Sequence, residues 1–492
     1  MTEISIGGPG ARARLTRAFS ARPLALQWAL SGAAMLFVLC APALWNRFPL
    51  IFPDTGGYVA RPFEGTLTFG RSALYGLFLY LGIPTAFWLN VVLQAALVAW
   101  LIVTTMDALG HGKRPWLAFG AVLALSVTTS LPWGAAQLMP DILFPCAVLA
   151  LYLLAFHRAQ FTPWKRAAIA AVIAVAIPCH MALAGLCVGL LIALWLVTKV
   201  ARDALPKVTL TWPAIGVAAG ILLCPVSNYA IGGQFAFTPG GESFLFGRLV
   251  EDGIVSKYLR DRCPDTHLRL CPYRSRLQRD ADDWLWDDDG PFQALGGWQG
   301  YADEERTIIA DTLSLYPLLH LKAAIVATVS QFLTFQTETA LNDNQPAVEA
   351  LAELTPQLRN QLMNARQQSE RLVVDALNLL HLPVAALSID GIALVVMARR
   401  RLRLDREHGA LCLTVLMALF LNAAICGVFS HPVDRYQSRL VWLAPFAFAL
   451  ALAAQMRKRS VDMRRPYVLG ANAEADEPRR NSPQHREYAE QP

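Results

Sequence analysis

Long apolar runs alternate along this chain with short clusters of Lys and Arg, a pattern that few architectures tolerate. A spanning helix needs about 20 mainly apolar residues. Residues 24–45, 84–106, 116–131, 141–156, 208–229, 378–397, 410–429 and 438–456 meet that need. The run 167–198 is broken by Pro178-Cys179-His180, which reads as two short spans meeting near His180. A further run, 318–335, carries His320, Lys322 and Gln331. Hydrophobic residues make up 55% of the 492 and charged ones 16%. Soluble domains carry about 25% charge, so several globules would lack the polar surface to cover them. The expected fold class is an all-α polytopic membrane protein.

The basic clusters set the expected topology. They are Arg12/Arg14/Arg17/Arg22, Lys113/Arg114, Arg158/Lys165/Arg166, Lys199/Arg202/Lys207, Arg399/Arg400/Arg401/Arg403 and Arg457/Lys458/Arg459. Placing all of them on the cytoplasmic side requires an even number of spans between neighbours. Between 207 and 399 one of three candidates must then fail. The weakest, 318–335, is expected as an amphipathic helix on the outer membrane surface. Ten spans result, with both termini inside and the first span retained rather than cleaved as a signal peptide.

The expected organisation is a basic cytoplasmic N-terminus (1–23), a seven-span module (24–229), an extracytoplasmic loop (230–377), a three-span module (378–456) and a cytoplasmic, largely disordered tail (457–492). A bacterial-type inner membrane suits this layout. The net charge of +6 is a topology signal, with no basic surface that would call for nucleic acid.

Candidate chemistry gathers outside, in the first outer loop (46–83), in 230–377 and at 431–439. Asp54 follows Phe52-Pro53 and precedes Thr55-Gly56-Gly57-Tyr58. It reads as a turn-capping carboxylate or as a general base near low-dielectric surroundings. Arg71 either snorkels to headgroups or clamps a phosphate. Asp141 opens the fourth span and reads as a helix cap or as a second acid at the level of Asp54. His180 is ionisable within the membrane. Arg435 and Arg439, one helical turn apart, anchor a helix end or bind a phosphate.

In the large loop, Cys263 and Cys271 enclose a short polar segment, and an oxidising outer face favours a disulfide over a metal pair with His267. The run from Asp282 to Gly290 lacks the ligand spacing of calcium loops. Its Trp284 and Trp286 suit a sugar-stacking acceptor surface or a solvated acidic face. Residues 338–375 read as surface helix.

Together these residues resemble the GT-C superfamily of membrane glycosyltransferases, such as the lipid A aminoarabinose and protein O-mannosyl transferases. The resemblance rests on Asp54 to Tyr58 in the first outer loop, on Asp141 before ILFPCAVLALYLLAF, and on Asp434-Arg435-Tyr436 before the last span. It implies a sugar moved from a polyprenyl-phosphate donor to a glycan, lipid or protein acceptor, with membrane lipids as surroundings.

The same resemblance implies Asp54 as base and Asp141 as helper or ligand of a divalent metal. Arg71, His180, Arg435 and Arg439 would bind the donor phosphate, and Tyr58, Trp284 and Trp286 the acceptor or sugar. The chain departs from the family in lacking an acidic pair at Asp54. The alternative function is a transporter or flippase. It would distribute charge along the spans and repeat its halves, whereas His180 and Asp390 are the main ionisable residues deep in the runs.

Overall fold

A computed structural model describes residues 23–64, 70–200, 205–233, 235–263, 267–337, 345–369, 372, 374–402 and 404–473. The helix Leu443–Ala473 runs into the tail expected to be largely disordered (457–492), whose first part is thus helical; residues from 474 onward, the arginines before residue 23 and the start of the 338–375 segment lie outside the described residues. The described chain is helical and forms no β-strand, only an isolated parallel bridge between Leu50 and Gln137. Helices keep every interior backbone hydrogen bond within one segment, which suits runs as apolar as these.

Six helices among the described residues are long and apolar enough to cross a membrane. They are Trp88–His111, Ala182–Val200, Thr211–Gly232, Asp375–Ala398, Arg406–Phe429 and Asp434–Lys458. Leu24–Leu39, Pro115–Thr128 and Pro140–Phe156 are shorter apolar helices.

Of the helices that position the site, α1 is Leu24–Leu39, α2 Pro53–Glu64, α3 Ala73–Tyr80, α4 Trp88–Met106, α5 Pro115–Thr128, α6 Leu143–Phe156, α7 Pro163–Cys179 and α8 Ala182–Val200. Helix starts are written into the sequence. Pro115 and Pro163 stand in their first turns, where no N–H is missed. Ser72 and Thr162 cap α3 and α7 by accepting from the amides of Tyr75 and Lys165. The break between α7 and α8 falls at His180, which adopts an extended conformation.

Three expectations need correction. Asp54 does not sit in a Pro/Gly turn. Pro53 and Asp54 begin the helix α2, and Gly56-Gly57 continue it. A Cβ at Gly57 would lie 3.3 Å from Arg71 Cγ, so this glycine makes room for the arginine rather than bending the chain.

Second, residues 318–335 do not stand apart from the other helices. Pro317–Leu333 bends by 101° from Ala302–Leu315 and packs against Arg406–Phe429. The carbonyl of Ala327 comes so close that a Cβ on Gly427 would stand 2.6 Å from it. Tyr316, just before this helix, donates to Asp261, and Gln336, just after it, donates to Asp434.

Third, within 338–375 the helix Gln345–Leu354 packs on α2, and Gln367 exchanges hydrogen bonds with both backbone groups of Ile51. That stretch buttresses the first outer loop.

Residues between 241 and 316 form a second apolar cluster of their own, around Phe246, Tyr258, Trp284, Phe292 and Tyr301. Cys263 and Cys271 are disulfide-bonded there.

Candidate functional site

The site begins with the Leu50–Gln137 bridge. Leu50 N–H donates to Ala136 at 3.0 Å, and Leu138 N–H donates to the Leu50 carbonyl at 2.8 Å. Thr55 Oγ1 accepts from the Phe52 amide (2.8 Å) and donates to the Leu138 carbonyl (3.2 Å). Gln94 holds the carbonyls of Ala135 and Gln137 and accepts from the Tyr75 hydroxyl. The chain leading to Asp54 and the chain leading to Asp141 are thereby fixed side by side.

The third component is the helix Asp434–Val441, whose Arg435 and Arg439 project from successive turns. Asp54 receives Arg71 Nη2 on Oδ1 at 2.5 Å and Arg435 Nη1 on Oδ2 at 3.0 Å. Asp141 receives Arg439 Nη1 at 2.9 Å. Arg435 also stacks on Phe52 at 4.2 Å, and Arg439 on Phe144 at 3.3 Å. Arg439 Nη2 donates further to Asn422 Oδ1 and Cys426 Sγ. Asn422 turns its own amide to the backbone carbonyl of Tyr436 and the side-chain carbonyl of Gln437.

These groups border a cavity of about 420 Å³. Asp54, Tyr58, Arg71, His180 and Arg435 line it. One wall is apolar, formed by Met181 just before α8, by Ala182 and Gly185 of α8, and by Ile425 and Phe429. Asp141 and Arg439 lie behind it, with side chains only 4% and 2% exposed. Asp141 makes no side-chain cap.

Trp286 stands beside Arg71 at 5.7 Å and is half-exposed. Trp284 is not part of this surface. It is fully buried between Phe246, Phe292 and Tyr301, because residues two apart on one helix face opposite sides. Asp434 likewise turns away from the site to hold the Gln336 amide.

Burial raises the proton affinity of the Asp54 carboxyl. Arg71 and then Arg435 outweigh that and hold it below the usual carboxylate range. Three guanidiniums against two carboxylates leave one positive charge uncompensated, which favours an anionic ligand. Four polar atoms here, Asp141 Oδ2, His180 Nδ1, Arg435 Nε and Arg439 Nε, are buried without a hydrogen-bond partner among the described residues.

A divalent metal fits poorly. Both aspartates are taken up by arginines, and among the described residues no three His, Cys, Asp or Glu side chains come together as a metal would need. Sequence reasoning missed Asn422 and Cys426, although an Asn within LFLNAAIC is a signal, since a polar side chain in an apolar helix needs a partner. No family model, no curated protein and no solved structure matches this chain.

Proposed function

We propose that the chain is an integral-membrane glycosyltransferase of GT-C type. It would move a sugar from a polyprenyl-phosphate donor to an envelope glycan, lipid or protein on the outer face of an inner membrane. The accompanying topology has ten spans, cytoplasmic termini and the cavity facing outward. One observation carries the reading: Asp54, with two guanidiniums on its two oxygens, lines a cavity that has an apolar wall.

In this reading the donor phosphate takes up Arg71 and Arg435, and their positive charge stabilises the leaving phosphate. Asp54, relieved of its partners, regains basicity and accepts the acceptor hydroxyl's proton as the sugar's C1 bonds to that oxygen. The C1–O bond to the phosphate breaks with its electron pair going to the phosphate. In the same reading the sugar or acceptor contacts Tyr58, which lines the cavity, and Trp286, which stands beside Arg71.

The test is Asp54→Asn in a strain whose deletion alters envelope glycans. The expected result is the deletion's glycan profile by mass spectrometry, with the variant present in the membrane at the parent's level. Loss of a general base costs about 10²–10⁴-fold in rate. A parental glycan profile in that stably expressed variant refutes the proposal.

A further inference from the structure

A second polar cavity, of about 320 Å³, lies at the far end of α4 from the first. Five parts of the chain build it: α1 through Trp28, α4 through Trp100 and Thr104, the connection to α5 through Asp107, His111 and Lys113, α5 through Ala118, and α7 through Lys165. Its volume falls within the roughly 300–1,000 Å³ of small-molecule sites.

The charges around it are unequal. Lys113 and Lys165 face the cavity, Asp107 is the one acidic residue lining it among the described residues, and His111 Nδ1 lies 3.2 Å from Arg457 Nη2. Lys113 is held at φ 64°, a left-handed conformation that a side-chain-bearing residue rarely adopts. Such strain persists only where the surroundings impose it. Lys113 is one of the residues that line the cavity. Trp28 and Trp100 supply an apolar body beside the cations, the combination found at the level of lipid headgroups.

We infer that this cavity binds the phosphate of an anionic phospholipid headgroup, held by Lys113 and Lys165 with the glycerol portion against Trp28 and Trp100. Basic pockets between helices on the basic side of a membrane protein take such headgroups. The inference is independent of the transfer reaction, because no residue is shared with the first cavity.

The full chain, purified in detergent, is titrated with phosphatidylglycerol or phosphatidylcholine, and bound lipid is counted by native mass spectrometry. Phosphatidylglycerol should bind saturably and phosphatidylcholine should not. K113Q and K165Q should each weaken binding about fivefold, and the double variant about 25-fold. K113R/K165R, which keeps both charges, should hold the parent's affinity within about twofold and so controls for folding.

Inorganic phosphate separates two sources of the same chemistry. Displacement of the lipid by millimolar phosphate assigns a soluble phosphate ligand and overturns the headgroup, and resistance to it supports the headgroup. Equal binding of the two lipids, or undiminished phosphatidylglycerol binding by K113Q/K165Q, overturns the inference.

Discussion

Replacing Asp141 by Asn removes one charge from a pair that water does not reach. Its oxygen lies 2.9 Å from Arg439 Nη1, and the two side chains are 4% and 2% exposed. At an effective dielectric of about 20, charges at that separation attract by about 6 kcal/mol, and the cost of desolvating both offsets most of it. Breaking such a pair from one side costs about 3–5 kcal/mol, since the survivor is left charged and buried. Arg439 keeps Asn422 Oδ1 at 3.1 Å and the face of Phe144, which puts Asp141→Asn at about 3 kcal/mol, the low end of that range. Arg439→Met strips Asp141 of its hydrogen-bonding cation and belongs nearer the high end, about 5 kcal/mol. The double variant leaves no uncompensated charge and should lose only about 1–2 kcal/mol. Unfolding of the detergent-solubilised chain, followed by tryptophan fluorescence across an SDS titration, would measure all four corners of the cycle. Single costs below about 1 kcal/mol, or a double cost equal to their sum, would refute the reasoning.

Gly427→Leu should destabilise by about 3 kcal/mol in the same titration, because its Cβ would meet the Ala327 carbonyl at 2.6 Å and backbone cannot rotate away as a side chain can. Reduction of Cys263–Cys271, which are eight residues apart, should cost about 2–3 kcal/mol and leave the protein more sensitive to limited proteolysis within 241–316. Glu305, buried in the cluster around Trp284 and outside the spans, has its carboxyl raised from 4.5 to about 7, first by burial and then by Glu242 against the opposing Ser243. The folded state therefore binds the proton more tightly than the unfolded one. Its contribution is full below pH 4.5 and is lost as pH rises through about 7. Glu305→Gln should flatten the fall in thermal stability between those values, and an unchanged pH profile would count against the assignment.

The helical character was legible because apolar runs of spanning length admit little else, and His180 was legible as the break in a run too long for one helix. The levels of Asp54, Asp141, Arg435 and Arg439 could be read from their places beside apolar runs. Their pairing could not. Asp54 meets Arg435 across 381 residues, and Asp141 meets Arg439 across 298. Local periodicity holds no information about which carboxylate takes which guanidinium. Trp284 and Trp286 look equivalent in DDWLWDDD, and only the packing of 241–316 turns one inward and leaves the other beside Arg71. The packing of residues 318–335 was illegible for a related reason. Their polar Gln331 gives no local sign of its partner, yet it is fully buried and exchanges hydrogen bonds with both backbone groups of Val433.

The two aspartates divide the work that the proposed transfer would require, and their surroundings decide which does what. Asp141 is locked by a buried arginine and shielded from the cavity. A proton delivered there would strand the Arg439 charge, so it is fitted to hold the helix carrying Arg435 at a fixed distance from α2. Asp54 is 17% exposed, lines the cavity, and each oxygen has a cation that an incoming phosphate can compete for. In the resting site it is a weak base. Occupying the arginines with phosphate removes the interaction that makes it weak. In the proposed transfer, basicity at Asp54 would thereby be conditional on the donor, and no acceptor hydroxyl would be activated with nothing to transfer to it.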